Sequence, residues 1–341
     1  MAIHSRDLHT ASLTAGSRHA DPEQVIVAIP VLNEVDHIEN CVASLMDGDD
    51  RLQCVRFFVA DGGSTDGTRA LLDALKARHA NFDWIDNPDR LQSAGINLVA
   101  ELHGGDASTL VRCDAHSIYP PGYVMSVADS LLLWGSASIV VPMDAVGEGC
   151  FEKANAWIVD TPLGSGGSAH RGGATSGFVD HGHHAGFDLA MFRKIDGYDE
   201  SFSHNEDAEY DTRVAAAGGQ IYLDADIRLA YRPRPTARKL WRQYFNYGKG
   251  RARTILKHNV RPRPRQLFPV LSLLALAGSA ILAPFTLLGW IYPAIYFGAL
   301  AASSVWLMVR HRSACGLLGG LAALVMHVSW AFGFLKQVLS R

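Results

Sequence analysis

Residues 55–68, VRFFVADGGSTDGT, lead from an apolar run through a glycine-rich stretch into a polar one. The apolar part, 55–60, predicts a strand, and the part from Asp61 to Thr68 predicts a tight turn into a helix that ends at Arg78. The turn lacks the Gly-Lys-Ser/Thr ending of a P-loop and does not match G-x-G-x-x-G. Alone, it is either a plain strand-to-helix connection or a ligand-binding loop in which Asp61 accepts a hydrogen bond.

Strands and helices alternate on both sides of this stretch. Asn33 and Glu34 can cap a helix that runs through Met46. The other predicted elements are a buried strand over 24–30, a short strand at 84–85, a helix over 92–102 and a strand over 109–113. This alternation predicts an α/β fold with a mostly parallel central sheet, in which ligands bind beyond the carboxyl ends of the strands.

Three of the predicted strands end at residues expected on this ligand-binding edge, namely Pro30, Asp61 and Asp114. Asp114 is followed two positions later by His116, and side chains at i and i+2 of a strand leave on the same face. An aspartate beside a histidine is compatible with a solvated strand end or with a divalent metal site. The pair by itself leaves both interpretations open.

The overall composition argues against several classes of protein. The 341 residues carry a formal net charge of −3, which gives no argument for binding nucleic acid. The five cysteines are scattered and form no C-x-x-C, which argues against a disulfide framework or a cysteine zinc site and fits a reducing compartment. Residues 1–22 are charged and lack an apolar core, so they predict a loose N-terminal tail and not a signal peptide.

The C-terminal third contains three uncharged runs in succession, at 267–288, 291–309 and 314–335. Each is long enough to cross a bilayer, and three together are hard to bury in a soluble protein. Arg310 and Arg312 predict a cytoplasmic loop between the second and third runs, and a strongly basic segment precedes the first. We therefore expect a multi-pass protein of the inner (plasma) membrane whose soluble portion lies in the cytoplasm.

An ordered set of motifs resembles glycosyltransferase family 2, whose members have the GT-A fold. The motifs are VAIPVLNE at 27–34, ADGGSTDGT at 60–68, NPDRLQSAGIN at 87–97, the Asp114 segment, GYDE at 197–200 and Glu206-Asp207. The resemblance covers roughly 25–257. Within the family, the chain looks most like exopolysaccharide glucosyltransferases of the succinoglycan type. This narrower resemblance depends on the apolar C-terminal region and on the motifs DAHSIYPPGY, VDHGHHAGF and YGKGRART.

Composition and the resemblance together predict four regions along the chain. Residues 1–22 are expected to be the tail, and the resemblance implies that 23–230 form a GT-A nucleotide-sugar-binding domain with a mostly parallel central sheet. Residues 231–266 form a basic amphipathic juxtamembrane segment, and 267–336 form a transmembrane region of about three helices.

The resemblance also implies a nucleotide-sugar site. Asp61 matches the aspartate that binds the uracil ring, and the other expected donor contacts are Pro30, Asn33, Glu34, Arg90, Gly95 and Asp114. Where the family usually has D-x-D, this chain has Asp114-Ala115-His116. Asp114 and His116 are therefore the expected ligands of a divalent metal, Mn²⁺ or Mg²⁺, and an imidazole suits Mn²⁺ better. His116 could instead contact the diphosphate directly.

The implied reaction is an inverting transfer from a UDP-sugar, with UDP-glucose as the expected donor and a β-linked product. Asp207 matches the family's base, which takes the proton of the acceptor hydroxyl, and Glu206 is expected to orient the site. The cation offsets the charge that develops on the leaving UDP.

The basic segment is expected to bind the acceptor at the membrane surface. Gln243, Arg251 and Arg253 lie between Asp207 and the first apolar run, where they would hold the diphosphate of a polyprenyl-diphosphate-linked saccharide. Membrane lipid and polysaccharide assembly proteins are further expected partners, and nucleic acid is not.

Two other functions remain open. A processive β-glycan synthase is disfavoured because Gln243 begins Gln-Tyr-Phe-Asn-Tyr where such enzymes have Q-x-x-R-W, and because only three spans are predicted. An inactive nucleotide-sugar-binding subunit of an export complex is disfavoured by the presence of Asp61, Asp114 and Asp207 together. The spacing of the histidines in DHGHH, at 180–184, fits no standard zinc pattern.

Overall fold

The computed structural model of the protein describes residues 19–166 and 175–340. Of the predicted tail, 1–22, all but the last four residues lie outside these ranges. The described strands are β1 (Val25–Val31), β2 (Arg56–Asp61), β3 (Phe82–Asp86), β4 (Thr109–Arg112), β5 (Ser138–Val141), β6 (Met143–Ala145), β7 (Gly177–Val179), β8 (His183–Asp188), β9 (Ile221–Leu223) and β10 (Leu229–Tyr231).

The helices of the same ranges alternate with the strands first and then follow one another. They are α1 (Ile38–Leu45), α2 (Thr68–Arg78), α3 (Gln92–His103), α4 (Tyr123–Trp134), α5 (Cys150–Val159), α6 (Pro162–Ser165), α7 (Leu189–Lys194), α8 (Glu206–Ala216), α9 (Ala237–His258), α10 (Pro264–Leu282), α11 (Ile291–Arg310) and α12 (Gly319–Leu339).

The main sheet has the strand order β3-β2-β1-β4-β8-β5-β9-β7. The first four strands of that order are parallel, and β8 pairs antiparallel with β4 and β5. A small second sheet pairs β6 with β10. The expected α/β fold with a mostly parallel sheet is confirmed. Because β1, β2 and β4 run the same way, their carboxyl ends meet at one edge.

Strand β1 shows why the sheet is covered on both faces. Val27 and Ile29 pack into a core that includes residues of α1, α2 and α4, whereas Ile26 and Ala28 pack into a core with α3, α7 and α8. All four side chains are fully buried. A strand buried on both faces needs a continuous apolar run, and residues 25–29 provide one.

The helix after β1 begins later than the sequence indicated. It starts at Ile38, with His37 as its N-cap, so the expectation that Asn33 and Glu34 cap it was wrong. Asn33 has a φ of 57°, and its Oδ1 accepts a hydrogen bond from the Thr65 backbone N–H at 2.9 Å. The Glu34 N–H donates to Thr68 Oγ1 at 2.9 Å. These bonds tie the loop after β1 to the turn after β2.

Three C-terminal segments of the described chain contain helices long and apolar enough to cross a membrane, at Pro264–Leu282, Leu287–Arg310 and Ala314–Leu339. The prediction of three such helices is confirmed. Their outer surface carries exposed apolar side chains, and Phe285 and Leu287 in the α10–α11 connection are 84% and 86% exposed. Large apolar side chains this exposed are typical of a lipid-facing surface.

The amphipathic helix α9 packs closely along α12. A Cβ at Gly248 of α9 would overlap the carbonyl oxygen of Trp330, and a Cβ at Gly333 of α12 would overlap that of Phe245. The two glycines therefore permit a backbone approach that larger residues would block. This contact fixes the basic helix to the apolar bundle.

The cysteine prediction needs a correction, because Cys150 and Cys315 form a disulfide. They are 165 residues apart in the sequence. Cys150 begins α5, Cys315 lies between α11 and α12, and the two regions pack against each other. Spacing along the chain carries no sign of such a pairing. Cys41, Cys54 and Cys113 are free thiols.

Candidate active site

The turn after β2 is organised around the carboxylate of Asp61. Asp61 is fully buried, and its Oδ2 accepts hydrogen bonds from the backbone N–H groups of Gly63 (3.0 Å) and Ser64 (3.1 Å) and from Arg69 Nε (2.7 Å). Gly63 has a φ of 87°, a conformation that other L-residues rarely adopt. The carboxylate therefore holds the glycine-rich turn in one shape.

Other residues expected to contact the donor lie next to this turn. A Cβ at Gly95 would lie 3.3 Å from the Cβ of Pro30, so α3 approaches the end of β1 closely there. Arg90 has a φ of 58°, and its guanidinium lies beside Gly63. The structure thus brings Pro30, Arg90 and Gly95 together at the carboxyl ends of β1 and β2.

Asp114 lies just after β4 and is oriented by several neighbours. Its Oδ1 accepts a hydrogen bond from Gln92 Nε2 at 2.7 Å, and its backbone N–H donates to Tyr119 Oη at 2.6 Å. His183 Nε2 is 3.9 Å from Asp114 Oδ2, and Arg112 Nη2 is 3.8 Å from Asp114 Oδ1. Burial alone would raise the pKa of Asp114, but Arg112, His183 and His116 together outweigh it, so the pKa is lowered and the carboxylate is ionised.

His116 lies on the same edge with its side chain 65% exposed, and its Nδ1 is 3.5 Å from Glu34 Oε1. The Glu34 carboxylate raises the pKa of His116. Among the described residues, no three His, Cys, Asp or Glu side chains converge as ready metal ligands. The donors at this edge are the Asp114 carboxylate and nearby imidazoles. That set fits Mn²⁺, which accepts imidazole beside oxygen ligands, if a phosphate-bearing ligand supplies further oxygen atoms.

Asp207, at the second position of α8, is bound by two side chains. Its Oδ1 accepts hydrogen bonds from Arg112 Nη1 and Tyr198 Oη, both at 2.7 Å, and Tyr198 Oη accepts from the same Arg112 nitrogen at 3.1 Å. Burial alone would raise the pKa of Asp207, but the Arg112 guanidinium, together with His184, His183 and the Tyr198 hydrogen bond, holds it well below its usual range. Asp207 is therefore ionised throughout the neutral pH range.

Glu206 begins α8 and lines the same cavity as Asp207. Burial, together with the negative charge of Asp207, raises the pKa of Glu206 to about 7. Adjacent carboxyl groups whose pKa values are pushed apart can take different roles. Here one stays ionised and the other exchanges a proton near neutral pH.

The three histidines of the 180–184 stretch have different neighbours. His181 Nδ1 and His184 Nε2 both bind the carboxylate of Asp211, at 2.5 Å and 2.7 Å. Asp211 follows Asp207 by four residues, about one helical turn. His183 faces Asp114 instead. Two of the three histidines therefore brace the helix that carries Asp207.

A cavity of about 2130 Å³ connects these carboxylates with the C-terminal helices. Asp114 and Asp207 line it, and so do Phe268 of α10 and Met326 and Trp330 of α12. Residues of α9 form another part of its wall. The polar cluster thus shares one open space with helices that are apolar enough to lie in a bilayer.

Comparison with known proteins decides the family. The profile of glycosyl transferase family 2 matches residues 26–196, half of the chain. The succinoglycan biosynthesis protein ExoA of Rhizobium meliloti (strain 1021) is 40% identical over 315 residues, which cover 92% of this chain and 94% of that protein. The chain belongs to glycosyltransferase family 2.

Two further proteins resemble this glycosyltransferase over most of its length. Dolichyl N-acetyl-alpha-D-glucosaminyl phosphate 3-beta-D-2,3-diacetamido-2,3-dideoxy-beta-D-glucuronosyltransferase of Methanococcus voltae is 23% identical over 331 residues, 92% of this chain and 97% of that protein. The structure of the mannosyltransferase PcManGT from Pyrobaculum calidifontis, in complex with GDP-Man and Mn²⁺, has a TM-score of 0.60 and 16% identity, covering 97% of this chain and 93% of that one. The predicted GT-A fold is confirmed.

Helix α9 of the glycosyltransferase carries the residues expected to bind the acceptor. Gln243 lies on the cavity wall, where its Nε2 donates to Tyr231 Oη at 3.0 Å and to Tyr247 Oη at 3.1 Å. Both tyrosines line the cavity too. The amide therefore holds two phenol groups in the wall of the cavity that the carboxylates share with the apolar helices.

Arg251 and Arg253 lie in different surroundings. Arg251 lines the cavity, burial lowers its pKa to about 10, and its Nε is buried without a hydrogen-bond partner among the described residues. Arg253 does not line the cavity. It donates to the Ser201 carbonyl (2.5 Å) and Oγ (2.7 Å), and its guanidinium lies 4.2 Å over the Phe202 ring. Positions two apart on a helix differ by about 200°, so the pair faces different directions.

The site of the glycosyltransferase also depends on residues that sequence reasoning did not single out, namely Gln92, Arg112 and Tyr198. Weak signals for them exist. Arg112 precedes Asp114 by two positions and so shares its strand face, while Gln92 and Tyr198 stand inside family motifs. Their partners, however, come from distant parts of the chain.

Proposed function

We propose that the protein is a membrane-anchored, inverting glycosyltransferase that transfers glucose from UDP-glucose to a lipid-linked saccharide in exopolysaccharide biosynthesis. Membership of family 2 supports a glycosyl transfer. The 40% identity with a succinoglycan biosynthesis protein supports the pathway class.

The observation that carries this proposal is the continuous cavity between the carboxylates and the apolar helices. A lipid-linked acceptor must bring its sugar hydroxyl to the base while its chain stays in the bilayer. The cavity is lined both by Asp207 and by Phe268 and Trp330 of the apolar helices, so it suits a ligand with a polar head and an apolar tail. A soluble sugar acceptor would not contact the apolar side chains of α10 and α12 that line this cavity.

The donor is proposed to bind at the carboxyl ends of β1, β2 and β4. Asp61, Pro30, Asn33, Arg90 and Gly95, which lie at or beside the turn after β2, would surround the nucleoside. The diphosphate lies towards Glu34 and Asp114, and Asp114 with His116 would hold a divalent cation there. When bound, the cation offsets the charge that develops on the leaving diphosphate. Mn²⁺ accompanies GDP-Man in the PcManGT structure, which supports metal dependence in this chain.

Transfer is proposed to use Asp207 as the base. Its carboxylate is ionised and lines the cavity, and its two hydrogen bonds from described side chains both end on Oδ1. Oδ2 can therefore receive the proton of the acceptor hydroxyl while the hydroxyl oxygen attacks the anomeric carbon. A direct displacement of this kind would convert an α-linked donor to a β-linked product.

The membrane arrangement is part of the same proposal. Residues 23–230 hold the donor on the cytoplasmic side, 231–266 lie along the inner leaflet, and 267–336 cross the inner (plasma) membrane. Arg310 ends α11, Arg312 follows it, and the two keep the connection to α12 on the side of the catalytic domain.

The test uses the purified protein in lipid nanodiscs with a polyprenyl-diphosphate-linked saccharide. UDP-glucose, UDP-galactose and GDP-mannose are compared as donors, and the anomeric configuration of the product is read by NMR. We expect β-linked transfer from UDP-glucose. An α-linked product would overturn the inverting mechanism, and equal rates with the lipid-free saccharide would overturn the lipid-linked acceptor.

A further inference from the structure

Arg112 is a buried cation that the reaction outlined above does not yet use. It is the last residue of β4, a strand flanked by β1 and β8, and its side chain is only 5% exposed. Burying a guanidinium is costly unless its charge is paired and its N–H groups are hydrogen-bonded. Its partners should therefore explain its position.

Those partners belong to both halves of the active site. Arg112 Nη1 donates to Asp207 Oδ1 at 2.7 Å, while Nη2 lies 3.8 Å from Asp114 Oδ1. One guanidinium thus stands between the carboxylate expected at the diphosphate and the carboxylate expected at the acceptor. Tyr198 completes the arrangement, since its hydroxyl accepts from Arg112 Nη1 and donates to Asp207 Oδ1.

Two consequences follow for Asp207. The terminal torsion angle of an aspartate is only weakly restricted, so a carboxylate without hydrogen-bond partners samples many orientations. Two hydrogen bonds on Oδ1 remove that freedom, and no described residue hydrogen-bonds to Oδ2. The fixed positive charge also offsets the repulsion among Asp207, Asp114 and Glu206, and it persists when a diphosphate adds further negative charge.

We propose that Arg112 is the positioning residue of the transfer reaction, which together with Tyr198 anchors Asp207 Oδ1 so that Oδ2 meets the acceptor hydroxyl. This inference rests on the proposed function, in which Asp207 is the base. The hydroxyl proton passes to Oδ2, the hydroxyl oxygen bonds to the anomeric carbon, and the bond from that carbon to the diphosphate breaks with its electron pair leaving on UDP. Arg112 exchanges no proton in this step.

The test is a double-mutant cycle in nanodiscs with Arg112→Met, Asp207→Asn and the double variant. We expect Arg112→Met to lower kcat by on the order of 10²-fold while the donor KM changes less than about threefold, because orientation and not binding is lost. In the Asp207→Asn background, Arg112→Met should lower kcat by less than about threefold, because its effect is exerted through Asp207.

Arg112→Lys and Tyr198→Phe keep the cycle informative if Arg112→Met does not fold. Lysine retains the charge but not the forked geometry, so it should recover part of the lost rate. Tyr198→Phe keeps Arg112 and removes one anchor, and its loss of kcat should likewise vanish in the Asp207→Asn background. If the fold-decrease in kcat of the double variant equals the product of the fold-decreases of the two single variants, the positioning role is overturned. A normal rate for Asp207→Asn alone would instead overturn the proposed function.

Discussion

Replacing Arg251 by glutamine is expected to weaken binding of the lipid-linked acceptor without affecting the donor. Arg251 lines the cavity on the α9 wall, and its Nε has no hydrogen-bond partner among the described residues. Burial lowers its pKa only to about 10, so the guanidinium is charged at neutral pH. A cation in the wall of a cavity that the base and the apolar helices share fits the diphosphate of an acceptor whose chain enters the membrane.

The expected size of the effect follows from the kind of bond that is lost. A hydrogen bond to a charged group contributes about 1.5–3 kcal/mol. Because 1.4 kcal/mol corresponds to a factor of ten, loss of one such bond should raise the acceptor KM by about 10- to 150-fold. The donor KM should change by less than about threefold, since the donor phosphates lie towards Asp114 in the proposed arrangement.

Arg253→Gln is the matched control, because it makes the same chemical change on the same helix. The Arg253 guanidinium is already bound by Ser201 and lies over the Phe202 ring, outside the cavity lining. This variant should lower the thermal midpoint and leave the acceptor KM within about threefold of wild type. Initial rates are measured in nanodiscs at a saturating concentration of the other substrate. An equal rise of the acceptor KM in both variants would show that only the overall charge of α9 matters. A rise confined to the donor KM would place Arg251 on UDP.

Three further outcomes are expected. Asp207→Asn should bind UDP normally by calorimetry yet transfer at least about 10²-fold more slowly, and a normal rate would reject Asp207 as the base. Chelation should abolish transfer, and Mn²⁺ should restore it at least as well as Mg²⁺. His116→Asp should shift the metal preference towards Mg²⁺ because it replaces a nitrogen ligand by oxygen. Full activity in excess chelator would contradict metal dependence. Burial raises the pKa of Glu206 from 4.5 to about 7, so the unfolded state loses this proton first and stability falls as pH rises between these values. The unfolding free energy of Glu206→Gln, relative to that of wild type, should therefore be higher at pH 8 than at pH 4, by at most about 3 kcal/mol. Thermal midpoints of the two proteins that differ equally at both pH values would contradict the raised pKa.

Much of the fold could be predicted from the sequence because its signals are local. The apolar runs at 25–29 and 55–60 mark strands buried on both faces, and the turn between Asp61 and Thr68 marks the start of a helix. Strand direction then follows from the alternation of strands and helices, and it brings Asp61 and Asp114 to one edge. The three membrane-length helices were predicted equally well, since length and apolar composition can be read from each segment without reference to the rest of the chain.

The start of α1 was predicted wrongly for a physical reason. Asn33 and Glu34 have the composition of helix caps, but their polar groups find partners in the turn after β2, 31 to 34 residues later. Local propensity is a weak preference that such tertiary hydrogen bonds override. The Cys150–Cys315 disulfide was missed because it depends on where α5 packs, which cysteine spacing does not reveal.

By itself the sequence determined the alternation of strands and helices as far as β4, the edge at which Asp61 and Asp114 end their strands, and the apolar C-terminal segments. The tertiary structure alone decided that Arg112 joins Asp114 to Asp207, that Arg251 faces the cavity while Arg253 faces Ser201, and that the cavity reaches the apolar helices. Elements are specified by the period and composition of neighbouring residues. A helix's rotation, and the partner of a buried charge, depend instead on packing and electrostatics summed over segments far apart in the chain, so they are settled only when those segments meet.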